Sequence, residues 1–219
     1  MKNYLQTNCT KKLFFVLFLL PSLFSFSQDK TFNDVLNAKK VYFYGYDFTH
    51  FKLIEPKRNG QDAEMKGFIF ELIQMLNDKN KEKEFERYIQ KDTVIFAQET
   101  VNDLNTKIKQ ENILNAFIKP TFSKDTLQNI INQYDTKGKT GIGFVEVMEC
   151  FYKQKKETSI WYVFFDIATK QIIDAYETTN DDADSYHGLA AYWAVGVHSG
   201  MGSYRAKHYY PALKDLKKK

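Results

Sequence analysis

Three apolar runs near the C-terminus, residues 142–153, 159–168 and 171–178, are joined by very short polar connections, Gln154 to Glu157 and then Thr169-Lys170. Neither connection has room for a crossover helix, so the three runs are predicted to pair as an antiparallel meander. In the middle run Trp161, Val163, Phe165 and Ile167 alternate with Tyr162, Phe164 and Asp166. Strand side chains point to opposite faces in turn. The first set therefore shares one face, and its uniform apolarity demands a cover of helices.

Upstream, Val41 to Phe48 has the aromatic and β-branched density of a buried strand, and Thr93 to Ala97 reads as a second. Phe68, Ile69, Leu72, Ile73 and Leu76 recur at helical spacing, in a helix expected to start at Gln61-Asp62 and end near Asn80. The charged run Lys79 to Arg87 reads as an exposed connection or helix. Thr100 with Asp103 resembles a capping box ahead of a helix through Leu104 and Ile108. Pro120 ends that region, and Ser123 is a good N-cap for a helix carrying Leu127, Ile130, Ile131 and Tyr134. A last helix begins at Gly188 to Tyr192, with Ala190, Ala194 and Val197 on one face; Gly196, Gly200 and Gly202 weaken its later turns. The expectation is a single α+β domain over residues 28–219. Its mixed sheet ends in the antiparallel three-stranded meander and is flanked by helices.

Residues 1–27 have the layout of a cleaved export signal. Lys2, Lys11 and Lys12 precede the apolar run Leu13 to Leu20, Pro21 breaks it, and Ser25-Phe26-Ser27 offers small residues for cleavage near Ser27/Gln28. The run is far shorter than the ~20 residues that span a bilayer. A periplasmic or secreted protein with no membrane span after processing is the expectation. The signal's three lysines account for most of the formal net charge of +4. The remainder therefore lacks the concentrated basic excess of a nucleic-acid binder. Lys214, Lys217, Lys218 and Lys219 read as a solvated tail. Cys9 would leave with the signal and lies ahead of the apolar run, where a lipid-anchor cysteine would follow it. Cys150 then has no intramolecular disulfide partner.

Motifs for chemistry fail on inspection. Gly138-Lys139-Thr140 has Gln133 where a phosphate loop needs its first glycine. Asn180, Asp182 and Asp184 match the start of a calcium loop, but Ser185 and Ala191 occupy the glycine and bidentate-glutamate positions. His198-Ser199 is flanked by Val197 and Met201 where a nucleophile elbow has glycines. Asp47 and Thr49 at the end of the first strand read as caps of the following turn. No cofactor and no metal is expected.

One arrangement does raise a candidate. Parity puts Phe144, Glu146 and Met148, then Tyr162, Phe164 and Asp166, then Ile172, Asp174 and Tyr176 on one side of the meander. Hairpins centred on Lys156 and Lys170 would set Glu146, Asp166 and Asp174 in one row. Three carboxylates so placed repel one another unless a cation or a basic partner group screens them. This is the expected partner or cation face, against the plainer alternative of a solvated face in a different register.

Two stretches carry a resemblance: Val41 to Thr49 (VYFYGYDFT), and Gly141 to Ala175 with its turn Phe164-Phe165-Asp166-Ile167-Ala168-Thr169-Lys170. They resemble uncharacterised exported proteins of Gram-negative bacteria. More loosely, the order of elements is similar to periplasmic α/β domains of the TolB amino-terminal and curli-export-lipoprotein type. The resemblance implies a non-catalytic part of an outer-membrane assembly or secretion machinery. This chain has neither the anchor cysteine nor the second domain of those proteins. The functional expectation is a non-enzymatic exported interaction module with a protein partner, an accessory subunit docking on an outer-membrane secretion or assembly complex. The competing classes are a small exported hydrolase or metal-dependent enzyme, and an aromatic-lined small-molecule carrier.

Overall fold

A mixed sheet organises the chain, and the computed structural model describes residues 29–54, 64–76, 82–114, 118–181 and 189–218. The strands are β1 (Lys40–Asp47), β2 (Lys52–Ile54), β3 (Thr93–Phe96), β4 (Ile142–Tyr152), β5 (Glu157–Asp166) and β6 (Ile172–Asn180). The order across the sheet is β3-β1-β4-β5-β6, with β2 continuing beside β4. β1 runs parallel to both β3 and β4, while β4, β5 and β6 form the antiparallel meander. The α+β class and the meander are as the sequence predicts.

Helices cover both faces, and the two faces form separate cores. One face meets α1 (Phe32–Asn37), α2 (Glu64–Leu76), α3 (Glu82–Ile89) and α7 (Leu189–Tyr204) through Leu36, Leu72, Phe85 and Trp193, among others. There Phe43, Phe144, Phe164 and Tyr162 contribute a chain of stacked and tilted rings. The other face meets α4 (Glu99–Asn105) and α6 (Lys124–Asn132) through Val101, Leu127, Ile130 and Ile131, with Tyr134 just beyond α6. Val163, Phe165 and Ile167 are fully buried on this second face and Trp161 packs against it, as their alternation demanded. A short α5 (Gln110–Leu114) sits near β2, and α8 (Tyr210–Leu216) closes the C-terminal end.

Local chemistry explains most boundaries. The Ser123 hydroxyl accepts the Thr126 N–H at 3.1 Å and caps α6. Gly45 sits at φ +99°, where a side chain is strained, and breaks the β1–β4 register between Phe43 and Tyr46. Gly138 (φ +68°) makes a tight turn, with Lys139 N–H bonded to Thr136 O at 3.0 Å, and leads into β4.

Four expectations are corrected. α4 starts at Glu99, so Thr100 is not its cap; its hydroxyl instead bonds Asp135 O at 2.7 Å, tying α4 to the segment after α6. The helix ends at Asn105, short of Ile108. α7 runs unbroken past Gly196, Gly200 and Gly202 to Tyr204, because Gly200 lets it lie close on the sheet: a Cβ there would stand 2.7 Å from the Tyr162 hydroxyl. Ile172 lies on the face with Phe165, because a bulge between Phe164 and Phe165 pairs Phe165 with Ile172 and Phe164 with Asp174. The expected start and end of α2, at 61–62 and near 80, lie outside the described residues.

Candidate functional site

Glu146, Asp166 and Asp174 do not form a row. Glu146 pairs with Tyr162, Asp166 with Ile142 and Asp174 with Phe164. The first hairpin turns through a short helical turn at Lys153–Lys155 and a left-handed Lys156 (φ +55°), so that Tyr152 pairs with Glu157 and the hairpin centres between Gln154 and Lys155, ahead of Lys156. A bulge between Met148 and Cys150 shifts the register again. Parity survives for Glu146 and its neighbours, but the face is a core and not a surface.

Each acid therefore has its own setting. Glu146 is 2% exposed, and among the described residues its Oε2 meets no hydrogen-bond donor. Burial pushes its pKa well above the usual carboxylate range, which favours the neutral carboxyl inside the core. Burial first, and Glu146 second, also raise the pKa values of Tyr46 and Tyr162 beside it. Asp166 closes the β5–β6 turn by accepting the Ala168 and Thr169 N–H groups at 2.8 and 3.1 Å, and it pairs with Lys30. Burial opposes its ionisation, but Lys30 and the two amides prevail and hold its pKa below the usual value. A groove of about 400 Å³ lined by Asp29, Lys30, Asp166 and Gln171 opens beside it. Asp174 lies 2.9 Å from His208 Nε2. The His208 ring is clamped between Phe32 and Tyr176, with centroids 5.0 and 4.4 Å away. That pair pins the C-terminal helix to β6.

Reading the sequence missed Glu149. It sits in the β4 bulge, where period-two alternation breaks, so no pattern marked it. Its Oε1 accepts Phe122 N–H at 2.7 Å and Trp161 Nε1–H at 3.3 Å, and its Oε2 accepts the Ser159 hydroxyl at 2.5 Å. Ser159 Oγ also lies 2.7 Å from Glu177 Oε1. Lys119 pairs with Glu157 at 2.9 Å and comes within 3.9 Å of Glu177. This network joins the segment before α6 to three strands, and its polar atoms are spent on one another.

The remaining candidates are structural. Asp47 accepts the Thr49 N–H at 2.7 Å, capping the turn as expected, and its other oxygen takes the Tyr134 hydroxyl at 2.6 Å. Ser203 donates to Asn180 at 2.7 Å. Cys150 is fully buried, and burial pushes its thiol up to about 12. Asp182, Asp184 and His187 lie outside the described residues. Among the described residues no cluster of metal-ligating side chains is present, and no helix is long and apolar enough to cross a membrane.

The surface offers a different feature. α7 has sixteen residues and no Asp, Glu, Lys or Arg among them. Val195 on it is 41% exposed, His198 is exposed, and Ala191 and Gly202 are half-buried. α2 packs alongside, with Phe70 50% and Met75 37% exposed. Comparison with protein-family models, with curated proteins and with solved structures finds no match to this chain.

Proposed function

We propose that this chain is an exported, non-enzymatic interaction module, released near Ser27/Gln28 into the periplasm or beyond. It acts as an accessory subunit docking by the outer surface of α7 and α2 on a protein of an outer-membrane secretion or assembly complex. The observation that carries the reading is α7 without Asp, Glu, Lys or Arg. A helix facing water on one side normally carries charged residues there; this one offers Val195, next to a helix with Phe70 and Met75 exposed. A lipid surface is the poorer occupant, because helices lying on membranes hold headgroups with Lys and Arg on the polar face. Residues 189–204 have neither.

The test is a photo-crosslinking amino acid placed at Val195, at Phe70 and, as a control, at exposed Lys107 in the producing cell. The first two positions are expected to give one adduct that fractionates with the outer membrane. Lys107 should give none, and Val195→Asp should abolish the Phe70 adduct while the melting temperature holds. Adducts of equal yield at all three positions, or none, would overturn the docking face. Mass spectrometry of the same protein is expected to find a chain starting within a few residues of Gln28; recovery of intact Met1 from the soluble cytoplasm would overturn the export reading.

A further inference from the structure

Where α3 meets the turn that follows α7 lies an open cleft of about 870 Å³ lined by Glu86, Arg87, Gln90, Lys91 and Arg205. Its cations are placed by the backbone. α3 ends with Gln90 in the left-handed region (φ +48°) and Lys91 N–H bonded to Glu86 O at 3.2 Å, a terminus that turns Lys91 inward. Lys91 is only 6% exposed. Its ammonium donates to Val35 O and Leu36 O at 2.6 and 3.2 Å and lies 5.6 Å from the Tyr209 ring centroid, so it is fixed at the cleft wall.

Arg205 opens a π-helical turn, Arg205–Tyr209, inside the helix formed by α7 and α8. Such turns recur at functional sites because the extra residue re-aims side chains. Here it sends His208 to β6 and Arg205 to α3. The Arg205 guanidinium lies over two rings, 5.7 Å from the Tyr88 centroid and 5.2 Å from that of Tyr210. Its face is thereby held, and among the described residues no acceptor meets its N–H edge. Arg87 is exposed and has no acidic partner among them either. The lining holds three basic groups against the single carboxylate Glu86; burial lowers the Lys91 pKa to about 8, with the neighbouring Asp92 acting against that shift, so the two arginines carry the cleft's lasting positive charge.

We propose that this cleft binds the phosphate group of a small anionic ligand or a lipid headgroup, with Arg205 as the bidentate anchor and Arg87 and Lys91 as flanking charges. A held guanidinium edge suits two oxygens of one phosphate. A phosphate monoester is close to a dianion at neutral pH and matches the cleft's charge. The site is separate from the docking face, and either stands without the other.

Calorimetric titration with inorganic phosphate, at ionic strength fixed with sodium chloride, tests it. Saturable binding is expected, weakened about tenfold or more in Arg205→Gln and in Arg87→Gln and unchanged in Lys107→Gln. Arg87→Gln keeps the test decisive if Arg205→Gln disturbs the fold, since Arg87 is exposed and has no acidic partner among the described residues. Co-sedimentation with phosphatidic acid vesicles, whose headgroup is a phosphate monoester, against phosphatidylcholine vesicles, then separates the sources. Retention on the first that is lost in Arg87→Gln assigns a headgroup, and phosphate binding without retention assigns a soluble ester. Heat that never saturates, or equal binding by wild type and both arginine variants, would overturn the site.

Discussion

Glu146 is a carboxyl whose burial favours the neutral form, and that preference has a cost that varies with pH. Because burial raises its pKa above the unfolded value near 4.5, the unfolded chain releases a proton above that pH that the folded chain retains. Its contribution is therefore complete below pH ~4 and is lost as pH rises, by at most ~1.4 kcal/mol per unit for one proton. Glu146→Gln removes this linkage. The variant and the wild type are expected to differ little in urea titrations at pH 4 and to diverge in the variant's favour by pH 8; a gap independent of pH would show that Glu146 is ionised in the core. Cys150, buried with its thiol pushed up to about 12, is expected to ignore a thiol-reactive disulfide reagent in the native protein and to react fully in denaturant. Rapid labelling of the folded protein would contradict the burial.

Elements are shaped here by what sits opposite them as much as by their own residues. Gly143 of β4 lies across from Phe165, and the ring occupies the place of its missing side chain: a Cβ would stand 2.3 Å from the ring. Gly143→Ala should therefore displace a fully buried ring, at a cost of about 1–3 kcal/mol. Phe165→Ala should cost about 3–5 kcal/mol by itself. The double variant is expected to lose less than the two together, because without the ring the added methyl has space. Strict additivity in a denaturant cycle would mean the contact is not the cause. The strands other than β2, and α6, were legible from alternation, helical spacing and the Ser123 cap, all of which are local. The hairpin register was not. Two bulges and a left-handed Lys156 move the pairing, and these depend on how the cores on the two faces pack, which no short window of sequence contains.

For the molecule as a whole, one sheet holds two cores apart, and each contains one of the two tryptophans: Trp193 on the α7 face, Trp161 against the α6 face. Since β4 and β5 contribute to both, neither core can dissolve and leave the other intact. Trp161→Phe and Trp193→Phe variants, each with one remaining fluorophore, are expected to unfold in single transitions that superimpose on those seen by circular dichroism. Separated transitions would show that the faces come apart independently. The sequence by itself determined the α+β class, the antiparallel meander and the face shared by Val163, Phe165 and Ile167. Hydrophobic periodicity records which side of each element must leave water. Only the tertiary structure decided that the opposite face is also buried and that Glu146, Asp166 and Asp174 stand apart. It alone brought Arg87, Lys91 and Arg205 to one cleft, because such placements arise from chain crossings and bulges between residues far apart in sequence.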